Sequence, residues 1–125
     1  MDFQIITNNP LVKKELEKEY EIVYLDISYK EVLETVRDKC HSGYMLLSHP
    51  LTGSVKPNET PYKSIMISKG KKGADMESIS IIENSIIAYN KFTDLGKKWS
   101  QRVLEDFQLI DFSLISSGIE SAKIN

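Results

Sequence analysis

His49 stands in a stretch where residues able to hold or move charge crowd together: Ser48-His49-Pro50-Leu51-Thr52-Gly53-Ser54-Val55-Lys56. An imidazole titrates near neutral pH, so His49 is the candidate general acid or base, or a donor that orients a ligand. A histidine bonded to the backbone of its own loop is the plainer role for the same residue, and the favoured one. Gly53 and Ser54 can turn backbone N–H groups and a hydroxyl toward an anion, and Lys56 adds a point charge. The spacing is not that of a P-loop, because the glycines required ahead of a Lys-Ser/Thr pair are missing. Asn58 and Glu59 extend the polar set, and Glu59 and Asp26 are candidates to pair with His49 or Lys56. Nothing in the spacing of His49, Asp26 and Glu59 demands a metal, so no metal site is expected, and no motif designates a cofactor. The alternative for the whole stretch is a compact surface loop built by its prolines, glycine and asparagine. Long ordered loops in small domains are often functional instead.

These residues need a frame. Residues 3–7 are short, apolar and β-branched, which suits a buried strand. Asn9 can cap the helix that follows, and Pro10 fits its first turn, where a missing N–H costs nothing. Val12, Leu16 and Tyr20 then share a face. Residues 21–25 read as a second strand, ending at Asp26. Ser28-Tyr29-Lys30-Glu31 is a capping box. Val32, Leu33, Val36 and Cys40 follow as one apolar stripe, and Gly43 stands where a helix stop belongs. Cys40 on that stripe reads as a small buried hydrophobe. Residues 44–47 read as a third strand, and residues 48–62 as the loop. Residues 63–69, with Ile65 and Ile67 alternating, make a fourth strand, antiparallel because no helix precedes it.

Strands alternating with helices predict an α/β fold. The expected architecture is one small three-layer domain over residues 1–125. Its sheet is four-stranded, mostly parallel and ordered 2-1-3-4, with helices on both faces. Asp75 or Ser78 opens a third helix holding Ile79, Ile82, Ile86 and Tyr89 on one side. A strand through Ser78-Ile79-Ser80-Ile81 ranks second. After a break at Gly96, Trp99, Val103, Phe107, Ile110 and Leu114 recur at helical spacing as the expected core face. Residues 116–125 have little to bury and are expected to fray.

In open α/β sheets ligands bind beyond the carboxyl ends of the strands. Asn8 and Asn9 follow strand one, Asp26 follows strand two, and Ser48 and His49 follow strand three. The candidate ligand-binding set is therefore Asn8, Asn9, Ser48, His49, Gly53, Ser54, Lys56, Asn58 and Glu59, with a small anion as the ligand. Asn8 and Asn9 border a helix N-terminus, whose unpaired N–H groups favour negative charge.

Of four stretches, the first two carry a family resemblance and the last two support it. They are Ile5-Ile6-Thr7-Asn8-Asn9-Pro10-Leu11-Val12, the loop from Ser48-His49-Pro50-Leu51-Thr52-Gly53 through Pro61-Tyr62-Lys63-Ser64, Ile81-Ile82-Glu83-Asn84-Ser85-Ile86, and Asp106-Phe107-Gln108-Leu109-Ile110-Asp111. In these the chain resembles GrdX family proteins along most of its length. The resemblance implies an association with the glycine, sarcosine or betaine reductase systems of amino-acid-fermenting anaerobic bacteria. It assigns no catalytic residue.

Composition sets the outer bounds. The chain has 125 residues, 41% of them hydrophobic and 27% charged, as in an ordinary globular domain. Sixteen basic residues against 18 acidic ones give a net charge of -2, so no global attraction to nucleic acid or anionic lipid is expected. The local basic turn Lys69-Gly70-Lys71-Lys72 has no adjacent aromatics and reads as solubilising. One cysteine forms no internal disulfide, and no apolar run approaches the roughly 20 residues that span a bilayer. With no basic n-region ahead of the first strand, a cytoplasmic location is expected. Three functions compete: an accessory or regulatory protein binding a small anion or reductase-complex proteins, a small enzyme on a carboxylate or phosphate substrate with His49 as acid or base, and an assembly factor working through its terminal helices. A homodimer is expected from apolar residues off the main stripes, namely Ile81, Ile87, Phe112 and Ile115.

Overall fold

The computed structural model describes residues 2–52, 60–68, 73–91 and 98–124. Among the described residues three strands and four helices follow in the order β1 (Phe3–Thr7), α1 (Pro10–Leu16), β2 (Glu21–Tyr24), α2 (Tyr29–His41), β3 (Ser64–Ser68), α3 (Met76–Asn90) and α4 (Gln101–Ile124). The sheet has the order β2-β1-β3. β1 pairs with β2 in parallel, Ile5 opposite Ile22, and with β3 antiparallel, Ile5 opposite Met66.

Alternation along the central strands divides the core between two faces. Ile6, Ile65 and Ile67 point to one side and pack with Val32, Leu33, Val36 and Cys40 of α2 and Ile82 and Ile86 of α3. Ile5 and Met66 point to the other and pack with Val12 of α1 and Ile115 and Ile119 of α4. The domain is thus a mixed sheet with two helices on each face.

Helix ends follow local chemistry. Asn9 caps α1, its Oδ1 accepting from the Leu11 N–H at 3.0 Å, with Pro10 at the first helical position. Ser28 and Glu31 close the capping box of α2, an arrangement whose loss costs about 0.5–2 kcal/mol. Gly43 leaves α2 at φ 111°, a left-handed conformation that side chains with a Cβ avoid. Asp75 caps α3, accepting from the Ser78 N–H at 3.0 Å and the Ser78 hydroxyl at 2.6 Å. The helical reading of residues 78–81 therefore prevails over the strand.

Three expectations are corrected. The sheet is three-stranded and mixed, not four-stranded and mostly parallel. Residues 44–47, read as strand three beside strand one, form only an isolated antiparallel bridge, Leu46 to Ile67, on the far side of β3. All five residues of β3 are buried. Such a strand suits a position flanked on both sides, whereas residues 44–47 are half-exposed and suit an edge. Two backbone bonds flank the bridge, from the Leu47 N–H to the Met66 carbonyl and from the Ser68 N–H to the Met45 carbonyl, both at 2.8 Å. Side chains add to them: the Met45 N–H donates to Ser68 Oγ and the Leu46 N–H to Ser78 Oγ.

The face of α4 is also different. The buried positions are Asp111, Ile115 and Ile119, while Val103, Ile110 and Leu114 of the expected core stripe are exposed. Phe112 and Ile115, read as surplus apolar surface, belong to the core. The tail also has something to bury: α4 continues to Ile124, and Ile119 is packed in the core. Gly96 and Lys69 to Lys72 lie outside the described residues.

Candidate functional site

Because β1 and β2 are parallel and β3 is antiparallel to both its neighbours, one edge of the sheet collects four chain segments. β1 ends there at Thr7, β2 at Tyr24 and residues 44–47 at Leu47, while β3 starts there at Ser64. α4 crosses this edge. A cleft of about 380 Å³ opens between them, walled by Leu47, Ser48, His49 and Thr52 on one side and Lys63 and Ser64 on the sheet. Asp111, Leu114, Ile115, Ser117, Gly118, Ser121 and Ala122 of α4 close the other side. This volume falls within the range of small-molecule sites.

Lys63 is one of two buried charged residues that line the cleft. Only 4% of it is exposed, and its ammonium donates to the Thr52 carbonyl at 2.8 Å. Burial pulls its pKa down from 10.5 to about 8, with the nearby Asp111 charge offsetting part of that fall. Among the described residues no carboxylate lies within 4.0 Å of the ammonium. An ammonium carries three donors, so most of its capacity is not met by those residues.

Asp111, 5% exposed, is the second buried charge. Its Oδ1 accepts from the Ser64 N–H at 3.0 Å. Its Oδ2 accepts from the Ser64 hydroxyl at 2.7 Å and from Asn9 Nδ2 at 3.0 Å. Since Ser64 gives its proton to the carboxylate, the 2.6 Å contact between Thr7 Oγ1 and Ser64 Oγ has Thr7 as donor. Thr7 Oγ1 in turn accepts from the Asn9 N–H at 2.9 Å. A directed network therefore ties the end of β1, the start of β3 and the middle of α4 together.

Asn8 and Asn9 stand at this edge as buried braces. Asn8 Nδ2 donates to the Ile27 and Pro61 carbonyls at 2.9 and 2.8 Å, and its Oδ1 accepts from the Lys63 N–H at 2.9 Å. Asn9 spends Nδ2 on Asp111 and on the Gln108 carbonyl and Oδ1 on its own helix. Both amide N–H bonds of each side chain are used within the protein, so they position the site and do not line the cleft. Ser48 and His49 do line it. Ser48 Oγ accepts from the Met66 N–H at 2.9 Å, leaving its own proton to donate. His49 is exposed, and its Nδ1 accepts from the Leu51 N–H at 3.1 Å, which is the backbone-bonded role. Neutral His49 consequently carries its proton on Nε2. Gly53, Ser54, Lys56, Asn58 and Glu59 lie outside the described residues. Asp26 is exposed.

Lys63, Ser64, Thr7 and Asp111 were not singled out from the sequence. Asp111 did carry a signal: with Phe107, Ile115 and Ile119 it falls on four-residue steps along one helix face, a lone acid among apolar neighbours. Lys63 carried a weaker one, as a cation leading directly into a buried strand.

Elsewhere the titratable groups have structural surroundings. Cys40 is wholly buried, and desolvation, with a contribution from Asp75, pushes its thiol up to about 11, which suits a packed side chain and not a nucleophile. His41 lies 3.6 Å from Glu83 across the α2–α3 surface. Among the described residues no helix is long and apolar enough to cross a membrane.

No curated protein and no solved structure matches the chain. A family model described as GrdX-like protein matches residues 4–120, from the first strand into α4. With all but a few terminal residues inside that match, the chain belongs to the GrdX-like protein family.

Proposed function

We propose that this protein is an accessory or regulatory component of a glycine, sarcosine or betaine reductase system, working in the cytoplasm by binding a small anion in the cleft between the sheet edge and α4. One observation carries the reading: the Lys63 ammonium is buried in that cleft with a single carbonyl as its partner and no carboxylate within 4.0 Å among the described residues. A buried cation is costly unless paired. A carboxylate or phosphate oxygen supplies the missing counter-charge, and Ser48 can add a hydroxyl donor. The competing reading, an enzyme with His49 as acid or base, has less support because Nδ1 is engaged by the loop backbone.

The test is calorimetry and thermal shift with acetate and inorganic phosphate on the full chain and on Lys63→Met. Wild type should gain several degrees at millimolar anion, and the variant none. If neither anion binds wild type, or Lys63→Met binds equally well, the cleft is not an anion site.

The reading includes partner proteins of the reductase complex and a second copy of the chain. Support for the second copy comes from α4, where Val103, Ile110 and Leu114 are exposed on one stripe with half-buried Phe107.

A further inference from the structure

The cleft holds two nearly buried charges of opposite sign that do not meet. Lys63 and Asp111 both line it, each about 95% shielded from solvent, and Asp111 acts on the Lys63 charge through space. Yet their N···O separation exceeds the 4.0 Å of an ion pair, since Asp111 is held by Ser64 and Asn9, and Lys63 by the Thr52 carbonyl. We infer that the ligand is a small zwitterionic amino acid, with its carboxylate on the Lys63 ammonium and its own ammonium on the Asp111 carboxylate. The inference rests on the anion reading above and narrows it.

Charge balance is the first argument. A lone anion entering this cleft meets Lys63 but also stands beside Asp111, so the pocket becomes net negative in a medium of low dielectric. A zwitterion neutralises each wall charge with its opposite and leaves the pocket neutral. Hydrogen-bonding capacity is the second. An ionised carboxylate offers about four acceptor positions, and the described donors to Asp111 take three: the Ser64 N–H, the Ser64 hydroxyl and Asn9 Nδ2. One position remains for an incoming ammonium. On the other side Lys63 retains N–H groups, and Ser48 a hydroxyl proton, for the ligand carboxylate. The third argument is preorganisation. Asp111 is fixed by donors from two other elements, so it need not reorganise when the ligand arrives.

The experiment compares glycine, acetate and methylammonium by isothermal calorimetry on the full chain. Glycine is expected to bind at least about tenfold tighter than acetate, and methylammonium not measurably. Asp111→Asn, checked for folding by circular dichroism, should weaken glycine about tenfold or more while acetate binds at least as well as before. Should that variant fail to fold, Asp111→Glu, which keeps the charge and moves it by one methylene, should still shift glycine affinity and leave acetate unchanged, and the wild-type ranking decides in any case. Acetate binding as tightly as glycine overturns the zwitterion and leaves the anion site standing. Binding of none of the three overturns both. A folded Asp111→Asn that keeps full glycine affinity removes Asp111 from the site.

Discussion

Replacing Lys63 with methionine tests the central physical claim directly, because it exchanges a buried ammonium for an apolar chain of similar length. The lysine pKa drops from 10.5 to about 8 on folding. Below pH 8 the side chain is charged in both states, so the folded protein bears the full cost of burying it. Between pH 8 and 10.5 the folded state sheds the proton first, the unfolded chain holds more protons, and stability rises with pH. Above 10.5 both are neutral and the penalty is gone. At 1.36 kcal/mol per unit, a shift of 2.5 units, from 10.5 to about 8, corresponds to about 3 kcal/mol. Lys63→Met should therefore be more stable than wild type at pH 7. The gain is about 2 kcal/mol once roughly 1 kcal/mol is deducted for the lost bond to the Thr52 carbonyl. The advantage should vanish by pH 10.5. Cys40 complicates either protein alone, because its raised thiol pKa makes stability fall between pH 9 and about 11. The difference between wild type and variant cancels that contribution. The assay is urea denaturation at half-unit pH steps, provided m is unchanged. A difference that stays flat from pH 7 to 10.5, or a variant less stable at pH 7, would refute a buried, under-compensated ammonium.

Asp111→Ala should cost about 3–5 kcal/mol in urea denaturation, because it strands the Ser64 N–H and one Asn9 amide proton in the interior and loosens α4; a loss below about 1 kcal/mol would show the network to be incidental. If the exposed stripe on α4 joins two copies, light scattering on wild type should give twice the 14.3 kDa chain mass and Ile110→Asp the single mass, whereas a monomeric wild type at high micromolar concentration removes the dimer.

What the sequence discloses and what it conceals divide along the distance over which the forces act. The Asn9-Pro10 start of α1, the capping box of α2, the stop at Gly43 and the stripe of Val32, Leu33, Val36 and Cys40 involve partners within a few residues. All of these were legible. The place of β3 was not. Its pattern of Ile65, Met66 and Ile67 states that it is buried, but choosing β1 as a neighbour requires comparing it with residues 44–47 for the same position, a contest between segments about 20 residues apart. The face of α4 failed for a related reason. Apolar residues occur on more than one side of that helix, so periodicity alone offers two stripes, Val103-Phe107-Ile110-Leu114 and Ile115-Ile119 with Phe112.

Asp111 decides between those stripes, and it does so through partners 47 and 102 residues away. An acid carried into the interior must find donors there, and the end of β1 with the start of β3 supplies three in one place. Turning α4 to deliver Asp111 to them necessarily exposes Ile110, its neighbour in sequence, and buries Ile115, one turn on. The same rotation brings Gly118 and Ser117 over the sheet edge opposite Lys63 and so creates the cleft. The polar network that docks the helix and the charge pair that marks the candidate site are thus one arrangement seen from two sides. Local reading fixed attention on Lys56 and His49 because their neighbours in sequence are polar, while Lys63 acquires its chemistry only when α4 closes over it.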